Sequence, residues 1–192
     1  MNLQEKKALL YIARTAIATY LSEGIEFIPD REHFPYERLW KERGSFVTLT
    51  IHGSLRGCIG SIIPHQPLAV DVAKNAVNAA FRDPRFYPLS REEFELVNIE
   101  VSVLTHPKRL EFYGVDDLFS KIKKYEDGVI IKRGFYQATY LPQVWKDLPD
   151  KKEFFRTLCL KAGMEPDCFK DPRLEVYTYR VEAFSEEELS TQ

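Results

Sequence analysis

The chain has 192 residues, a formal net charge of -2 and 44% hydrophobic residues. This length and composition allow a sizeable core, and the near-neutral charge makes nucleic acid an unexpected partner. No apolar run reaches the length of a membrane span and the first residues, MNLQEKK, lack a secretory signal, so we expect a cytoplasmic protein without a membrane partner. The three cysteines, Cys58, Cys159 and Cys168, have no CxxC spacing and predict neither a disulfide framework nor a zinc site.

The first predicted element is a helix. Asn2 followed by Glu5 fits a capping box, and apolar residues recur at helical spacing until Gly24, which favours a stop. From residue 27 to 43, prolines alternate with charged and aromatic residues, which is typical of a connection with one short helix.

The next stretch, FVTLTIHGSLRGCIGSII at 46–63, carries the most unusual residues. Its alternation predicts a hairpin that reverses at Gly53-Ser54 in a type II′ turn. On the returning strand Arg56 and Cys58 would share one face, and same-face neighbours lie roughly 6 to 7 Å apart. The Arg56 guanidinium could then stabilise a Cys58 thiolate.

Two glycines, Gly57 and Gly60, lie close to Cys58 in this strand. Glycine is costly inside a strand, so these positions indicate a bulge, a ligand or a closely approaching backbone. Three interpretations of Cys58 stay open: a small buried residue, part of a binding surface, or a reactive thiol.

A helix is predicted over 68–81, followed by a second unusual stretch that contains Asp83, Arg85 and Phe86. The charges fit either a surface ion pair that fixes a loop or a corner that faces an anion or a partner. Ser90 with Glu93 predicts a capping box for a short helix.

The remaining elements follow the same patterns. A strand over 97–105 carries Glu100 and Ser102 on its polar face, which is either wetted or the floor of a cleft. The later predictions are a helix at 116–125, strands at 129–131 and 136–140, a helix starting at Asp150 with Cys159 in its apolar stripe, a last strand at 174–184 and a frayed acidic tail from 185. Hairpins dominate, which predicts an α+β fold with antiparallel sheet.

Common cofactor and metal motifs are absent from the sequence, so we expect no cofactor and no metal. A thiol nucleophile would need a base or a lowered pKa. His52, His65 and Glu100 are the candidates for that base, and the sequence does not choose among them.

Five segments taken together resemble the AMMECR-type domain family, whose prokaryotic members are called AmmeMemoRadiSam system protein A. They are LRGCIG at 55–60, DPRF at 83–86, IEVSVL at 99–104, YLPQVW at 140–145 and FFRTLCLKAG at 154–163. The resemblance covers nearly the whole chain in the same order.

The resemblance implies one α+β domain over 1–192 with two unequal subdomains, each an antiparallel sheet flanked by helices, and a cleft between them. The larger subdomain would comprise about 1–24 and 95–192, and the smaller one about 25–94 with the LRGCIG hairpin. No histidine falls in the shared motifs, which favours activation of Cys58 by Arg56, or no catalysis.

The site is expected around the LRGCIG hairpin. The candidate catalytic residues are Cys58 as nucleophile, Arg56 and Glu100, and the candidate binding residues are Leu55, Gly57, Ile59, Gly60, Ser61, Asp83, Arg85 and Phe86. Two functions stay open, and the sequence leaves undecided whether the protein is an enzyme.

The first function is a thiol-dependent enzyme, or enzyme component, that acts on an electrophilic small molecule or modified nucleotide. The resemblance suggests a modification pathway shared with Memo-like and radical-SAM proteins. The alternative is a non-catalytic binding or adaptor protein that docks a partner protein on the hairpin and the DPRF corner.

Overall fold

The computed structural model describes residues 1–191 and has the expected α+β fold. Its helices are α1 (Leu3–Glu23), α2 (Leu68–Phe81), α3 (Arg91–Leu96), α4 (Gly114–Lys121), α5 (Lys151–Lys161) and α6 (Glu186–Ser190). Its strands are β1 (Ser45–Ile51), β2 (Ser54–Ser61), β3 (Asn98–Leu104), β4 (Lys108–Arg109), β5 (Gly128–Arg133), β6 (Tyr136–Tyr140), β7 (Glu175–Tyr179) and β8 (Val181–Ser185). Short 3-10 helices span Glu37–Trp40, Pro142–Lys146 and Cys168–Lys170. No helix of the described chain is both long and apolar enough to cross a membrane.

The chain divides into two compact units, which differ from the expected subdomains. Unit 1 comprises Met1–His106 and the chain from Glu182 onward, and unit 2 comprises Pro107–Val181. The expected boundary near residue 95 placed the LRGCIG hairpin in a different subdomain from α1 and β3. In the structure β1 pairs with β3, and α1 packs with α2 in one core, so all of these elements belong to unit 1.

Unit 1 is a sheet of order β2-β1-β3-β8 with α1 and α2 packed on one of its faces. The predicted cap of α1 is confirmed: the Asn2 side chain accepts from the Glu5 amide, and the Glu5 carboxylate accepts from the Asn2 amide, each at 2.8 Å. Gly24 ends the helix in a left-handed conformation. The predicted α2 is also confirmed, and its alanines are buried in the unit 1 core: Ala69, Ala73, Ala76, Ala79 and Ala80.

The start of β1 is tied to α2 by a buried polar cluster. The Asp71 carboxylate is fully buried and accepts hydrogen bonds from the Ser45 hydroxyl and from the amide groups of Gln66 and Asn75. The Asn75 amide also donates to the Ser45 carbonyl oxygen at 3.1 Å. Because both oxygens of the buried Asp71 carboxylate accept hydrogen bonds, the cluster fixes the position of α2 along β1.

The turn between β1 and β2 lies one residue earlier than expected. Ile51 pairs with Ser54, and the two residues between them have positive φ angles, 50° at His52 and 80° at Gly53. Positive φ at both central positions defines a type I′ turn, whose twist matches that of the flanking strands. The predicted type II′ turn at Gly53-Ser54 is therefore wrong.

Unit 2 contains the antiparallel pairs of the sheet β4-β7-β5-β6 and its own apolar core. Trp145 stacks on Phe154 with ring centroids 3.6 Å apart, and its indole N–H donates to the Asp127 carbonyl oxygen. Cys159 lies in this core as predicted, but it forms a disulfide with Cys168, which is equally buried. The expectation of no disulfide is wrong because sequence spacing did not reveal that the 3-10 helix after α5 folds back onto it.

The predicted last strand, 174–184, is two strands in different sheets. β7 pairs with β5 in unit 2, whereas β8 lies beside β3 in unit 1. The acidic tail is not frayed over its described length: α6 begins after Ser185, whose hydroxyl accepts from the Glu188 amide. Glu186 binds Arg14 at 2.6 Å and also accepts from the Ile99 amide.

Candidate functional site

The LRGCIG segment lies on β2, the edge strand of the unit 1 sheet, and it contains a bulge. Leu49 pairs with Gly57 and the next residue of β1, Thr50, pairs with Leu55, so Arg56 is the extra residue. A bulge interrupts the alternation of side chains along a strand. The prediction that Arg56 and Cys58 are regular neighbours on one face is therefore wrong.

The two glycines of the motif are required by packing. A Cβ atom on Gly57 would lie 2.1 Å from the carbonyl oxygen of Ala79 in α2, and one on Gly60 would lie 2.2 Å from the ring of Phe46. Both distances are far below van der Waals contact. Of the three explanations offered for these glycines, a bulge and a closely approaching backbone both occur.

Cys58 is a free, half-buried cysteine that pairs with Thr48 across the hairpin. Directly opposed residues of antiparallel strands share a face, and the Cys58 sulfur lies 3.2 Å from the Thr48 hydroxyl oxygen. Burial raises the pKa of the thiol above its ordinary value, and this effect outweighs the opposing hydrogen bond from Thr48 and the charge of Arg85. Cys58 is therefore held as the neutral thiol at neutral pH.

Glu100 lies on the same face of the sheet as Cys58 but not on a neighbouring strand. Thr48 of β1 pairs with Cys58 on one side and with Glu100 of β3 on the other. Two strand spacings separate the backbones of Cys58 and Glu100 by roughly 10 Å. The negative charge of Glu100 raises the pKa of the thiol further, which is an effect opposite to activation.

Arg56 is bound by a carboxylate and a carbonyl group. Its Nε and Nη2 donate to the Glu93 carboxylate at 2.6 and 3.0 Å, and Nη2 also donates to the Tyr87 carbonyl oxygen at 2.7 Å. The ion pair lowers the pKa of Glu93 to about 2. The other terminal nitrogen of Arg56, Nη1, is buried and has no hydrogen-bond partner within residues 1–191. Glu93 neutralises the charge that was expected to stabilise a Cys58 thiolate.

The DPRF corner binds the outer edge of β2. The Asp83 carboxylate accepts from the Cys58 amide at 2.9 Å, and Arg85 Nη2 donates to the Cys58 carbonyl oxygen at 3.2 Å. Arg85 also pairs with Asp83 through Nε and Nη2, which holds the pKa of Asp83 well below its usual range. Asp83 is almost fully buried, whereas 54% of the Arg85 side chain is exposed. Of the two interpretations of these charges, the ion pair that fixes a loop is present.

The other expected binding residues surround this edge in different ways. Phe86 lies beside both guanidinium groups, with its ring centroid 5.6 Å from the central carbon of Arg56 and of Arg85. Ile59 packs against the unit 1 core, and Ser61 pairs with Ser45. Leu55 is 45% exposed, and Tyr87, which was not expected at the site, is 90% exposed.

The histidines take other positions. His52 lies in the hairpin turn, and the His65 ring is 3.1 Å from the carbonyl oxygen of Ile63. Within residues 1–191, no three His, Cys, Asp or Glu side chains are grouped so that they could hold a metal ion.

Sequence reasoning missed Glu93, Thr48 and Tyr87. Glu93 was recognised only as the third residue of a capping box, a role that it also has because its carboxylate accepts from the Ser90 amide. Thr48 lies within the predicted hairpin, and the cross-strand register that places it opposite Cys58 was the missing information. No sequence signal indicated that the backbone of Tyr87 would meet Arg56.

Comparison with known proteins gives consistent matches over most of the chain. The AMMECR1 family model matches residues 10–184. A protein of Thermococcus gammatolerans is 40% identical over 189 residues, which cover 93% of this chain and 89% of that protein. A protein of Nanoarchaeum equitans is 42% identical over 186 residues, which cover 93% of this chain and 99% of that protein.

A solved structure has the same fold. The crystal structure of an uncharacterized protein from Pyrococcus horikoshii matches with a TM-score of 0.89 and 38% identity, and the match covers 97% of this chain and 94% of that one. The names of these relatives state no activity.

Proposed function

The chain belongs to the AMMECR1 family, and we propose that it is a non-catalytic binding protein that docks a partner on the β2 edge and the DPRF corner. The observation that carries this proposal is that large side chains are exposed to solvent at this edge. Leu55 and Tyr87 are large apolar side chains that meet solvent next to Arg56, and Arg85 is half-exposed beside them. Exposed apolar and arginine side chains around a rigid backbone are typical of protein interfaces.

The chemistry of Cys58 supports the same choice. A cysteine nucleophile acts as the thiolate, and enzymes lower its pKa with a cation, a helix terminus or a base. Here burial raises the pKa of Cys58, and the ion pair with Glu93 engages Arg56. The glycines have packing roles that require no ligand.

Site-specific photocrosslinking in cells tests the proposal. A benzophenone amino acid at Leu55 or Tyr87 is expected to capture a defined protein, and the Memo-like and radical-SAM proteins of the same genome are the first candidates to examine. The matched control is the same amino acid at Phe135, an exposed position in unit 2. Arg85→Glu should weaken capture, whereas Cys58→Ser should leave it unchanged. Identical adducts from all three positions would rule out a specific docking surface.

A thiol-dependent enzyme is the second candidate. The observation in its favour is that the Thr48 hydroxyl and the Arg85 charge both lower the pKa of the half-buried Cys58, although burial outweighs them. In this case Arg85 would hold an anionic group of a small-molecule substrate. Complementation of a deletion strain separates the candidates: loss of function in Cys58→Ser with an unchanged Tm would favour the enzyme.

A further inference from the structure

The DPRF corner takes the place of a neighbouring strand at one position of β2. On the outer side of an edge strand, a paired strand supplies a carbonyl oxygen to each N–H and an N–H to each carbonyl. At Cys58 the Asp83 carboxylate supplies the acceptor and the Arg85 guanidinium supplies the donor. Side chains thus complete one step of a ladder that no strand continues.

The next outward-facing position, Gly60, has no such partner. Backbone groups point outward at every second residue, so the N–H and C=O of Gly60 face the same way as those of Cys58. Within residues 1–191, no side chain bonds to either group. The Phe46 ring occupies the face of Gly60 where a side chain would lie, so another backbone would approach in the plane of the sheet, along the outer edge of β2.

The exposed charge beside this position is positive. Asp83 has 1% of its side chain exposed and Arg85 has 54%, so the ion pair presents its cationic member to solvent. Arg85 uses Nε and Nη2 for Asp83 and Cys58, and its Nη1 makes no hydrogen bond within the described chain. That nitrogen can bind a carboxylate without breaking the bonds that hold the corner.

We infer that the partner presents an extended acidic segment that adds as a strand to β2 at Gly60. Its backbone pairs with the N–H and C=O of Gly60, and a carboxylate on the segment binds Arg85. Strand addition to an exposed sheet edge is a common mode of peptide recognition, in which main-chain hydrogen bonds supply affinity and side-chain contacts supply specificity. This inference rests on the proposed docking function and names the chemistry of the partner.

The probe for the first test is a library of short random peptides selected against the folded full-length chain. Selected peptides are expected to share an acidic residue within a run of β-forming residues. On binding, the amide of Gly60 should shift in the NMR spectrum and exchange more slowly with solvent. N-methylation of the peptide residue that pairs with Gly60 should abolish binding, and methylation of its neighbour should not. Failure to enrich peptides, or a response that lies elsewhere, overturns the inference.

Charge variants give an independent check. Arg85→Glu should weaken binding of the selected acidic peptide at least about tenfold, which is the value of one hydrogen bond to a charged group. Arg156→Glu is the matched control, because Arg156 is an exposed arginine of unit 2 that pairs with Glu153. Equal losses in both variants would contradict the assigned role of Arg85. The N-methylated peptides still decide the question on the wild-type chain if Arg85→Glu does not fold.

The two proposals can fail separately. The Leu55 and Tyr87 crosslinkers could capture a partner while the Gly60 amide exchanges with solvent as fast in that complex as in the free chain. This result would support the docking proposal and contradict strand addition. If light scattering shows a dimer with Gly60 protected, the occupant is a second copy of this chain, and the acidic partner is overturned. No specific capture together with no selected peptide removes both proposals.

Discussion

Cys58 is partly exposed, but burial of its sulfur still disfavours the thiolate form. Its sulfur lies against the Thr48 hydroxyl, and its amide and carbonyl groups are bound by Asp83 and Arg85. The motif therefore uses the backbone of this residue more than its sulfur. We regard the cysteine mainly as a small side chain that fits beside Thr48.

The alkylation rate of Cys58 against pH checks this view. We expect the midpoint to lie above the ordinary value of 9.0, because burial disfavours the charged form. The rate at neutral pH should be lower in the native protein than in urea, where the same thiol is solvated. Cys58 is the free cysteine of the chain, so mass spectrometry of its peptide reports one site. A midpoint below 9.0 would restore the enzyme hypothesis.

Gly57 is a residue whose replacement should be severe. The Cβ of Gly57→Ala would overlap the Ala79 carbonyl oxygen at 2.1 Å, so β2 and α2 would have to separate. We expect a loss of about 3 kcal/mol in the free energy of unfolding, the upper range for overpacking. Urea denaturation measures it, with Ser54→Ala at the exposed start of β2 as control. A change below about 1 kcal/mol would mean that α2 is not in contact with β2 there.

At the scale of elements, Arg56 links β2 to α3. The bulge turns its side chain toward Glu93, which caps α3 and binds the guanidinium at the same time. Removing either partner would leave the other charge without its counterpart. The charge of Arg56 is therefore paired within the fold of unit 1.

The stability of unit 1 should depend on acid through Glu93. Its pKa falls from 4.5 to about 2 in the folded state, so the ion pair contributes stability above pH 4.5 that is lost as pH falls toward 2. Glu93→Gln should flatten the dependence of the unfolding free energy on pH in this window. Glu92→Gln, on the exposed side of the same turn, should leave the slope unchanged. Equal slopes in all three proteins would contradict the ion pair.

The disulfide of unit 2 closes a short loop between α5 and the following 3-10 helix, with a sequence separation of 9. Chain-entropy arguments assign such a loop between about 2 and 3 kcal/mol. Replacing Cys159 and Cys168 together by alanine should lower the unfolding free energy by that amount. Cys58→Ala is the control for loss of a sulfur atom. The same Tm for the double variant and the wild type would show that the bond does not form in solution.

Local patterns were sufficient for the elements whose partners lie close in sequence. Caps and apolar spacing identified α1, α2, α3 and α5, and alternation identified the hairpin. The glycines indicated a bulge as one of three explanations, but its position at Arg56 was not predictable, because it is set by the register between β1 and β2. The break between β7 and β8 was missed for a similar reason: the alternating pattern continues although the chain changes sheets.

At the scale of the whole molecule, unit 1 is closed by contacts between distant parts of the chain. Arg14 of α1 binds Glu186 of α6 at 2.6 Å and donates to the carbonyl oxygens of Phe94 and Val97. Glu186 also accepts from the Ile99 amide in β3. A single carboxylate thus joins a helix, a strand and the last described helix.

Glu186→Gln should therefore destabilise the protein more than the same substitution at the neighbouring Glu187. We expect a loss of about 1 kcal/mol, since the side chain is partly exposed and one charged pair is removed. Glu187→Gln is the matched control, because the carboxylate of Glu187 is exposed. Thermal unfolding of both variants gives the comparison. Equal values of Tm would indicate that α6 does not hold this position.

The sequence singled out LRGCIG and DPRF as a candidate site, but the contacts that these segments make could not be read from it. The unusual residues of LRGCIG and DPRF do meet on one edge of a sheet. Their roles depended on Glu93 and Thr48, whose contacts with Arg56 and Cys58 arise only in the fold. Residue type singled out the two segments, and the fold decided how their charges pair.

The order of the units along the chain has a consequence for biosynthesis. β8 of unit 1 follows the whole of unit 2, so the strand that lies beside β3 is synthesised after every strand of unit 2. Until β8 is synthesised, the sheet of unit 1 lacks the strand that lies on the outer side of β3. During translation, the side of β3 that later meets β8 is the surface that a chaperone would have to protect.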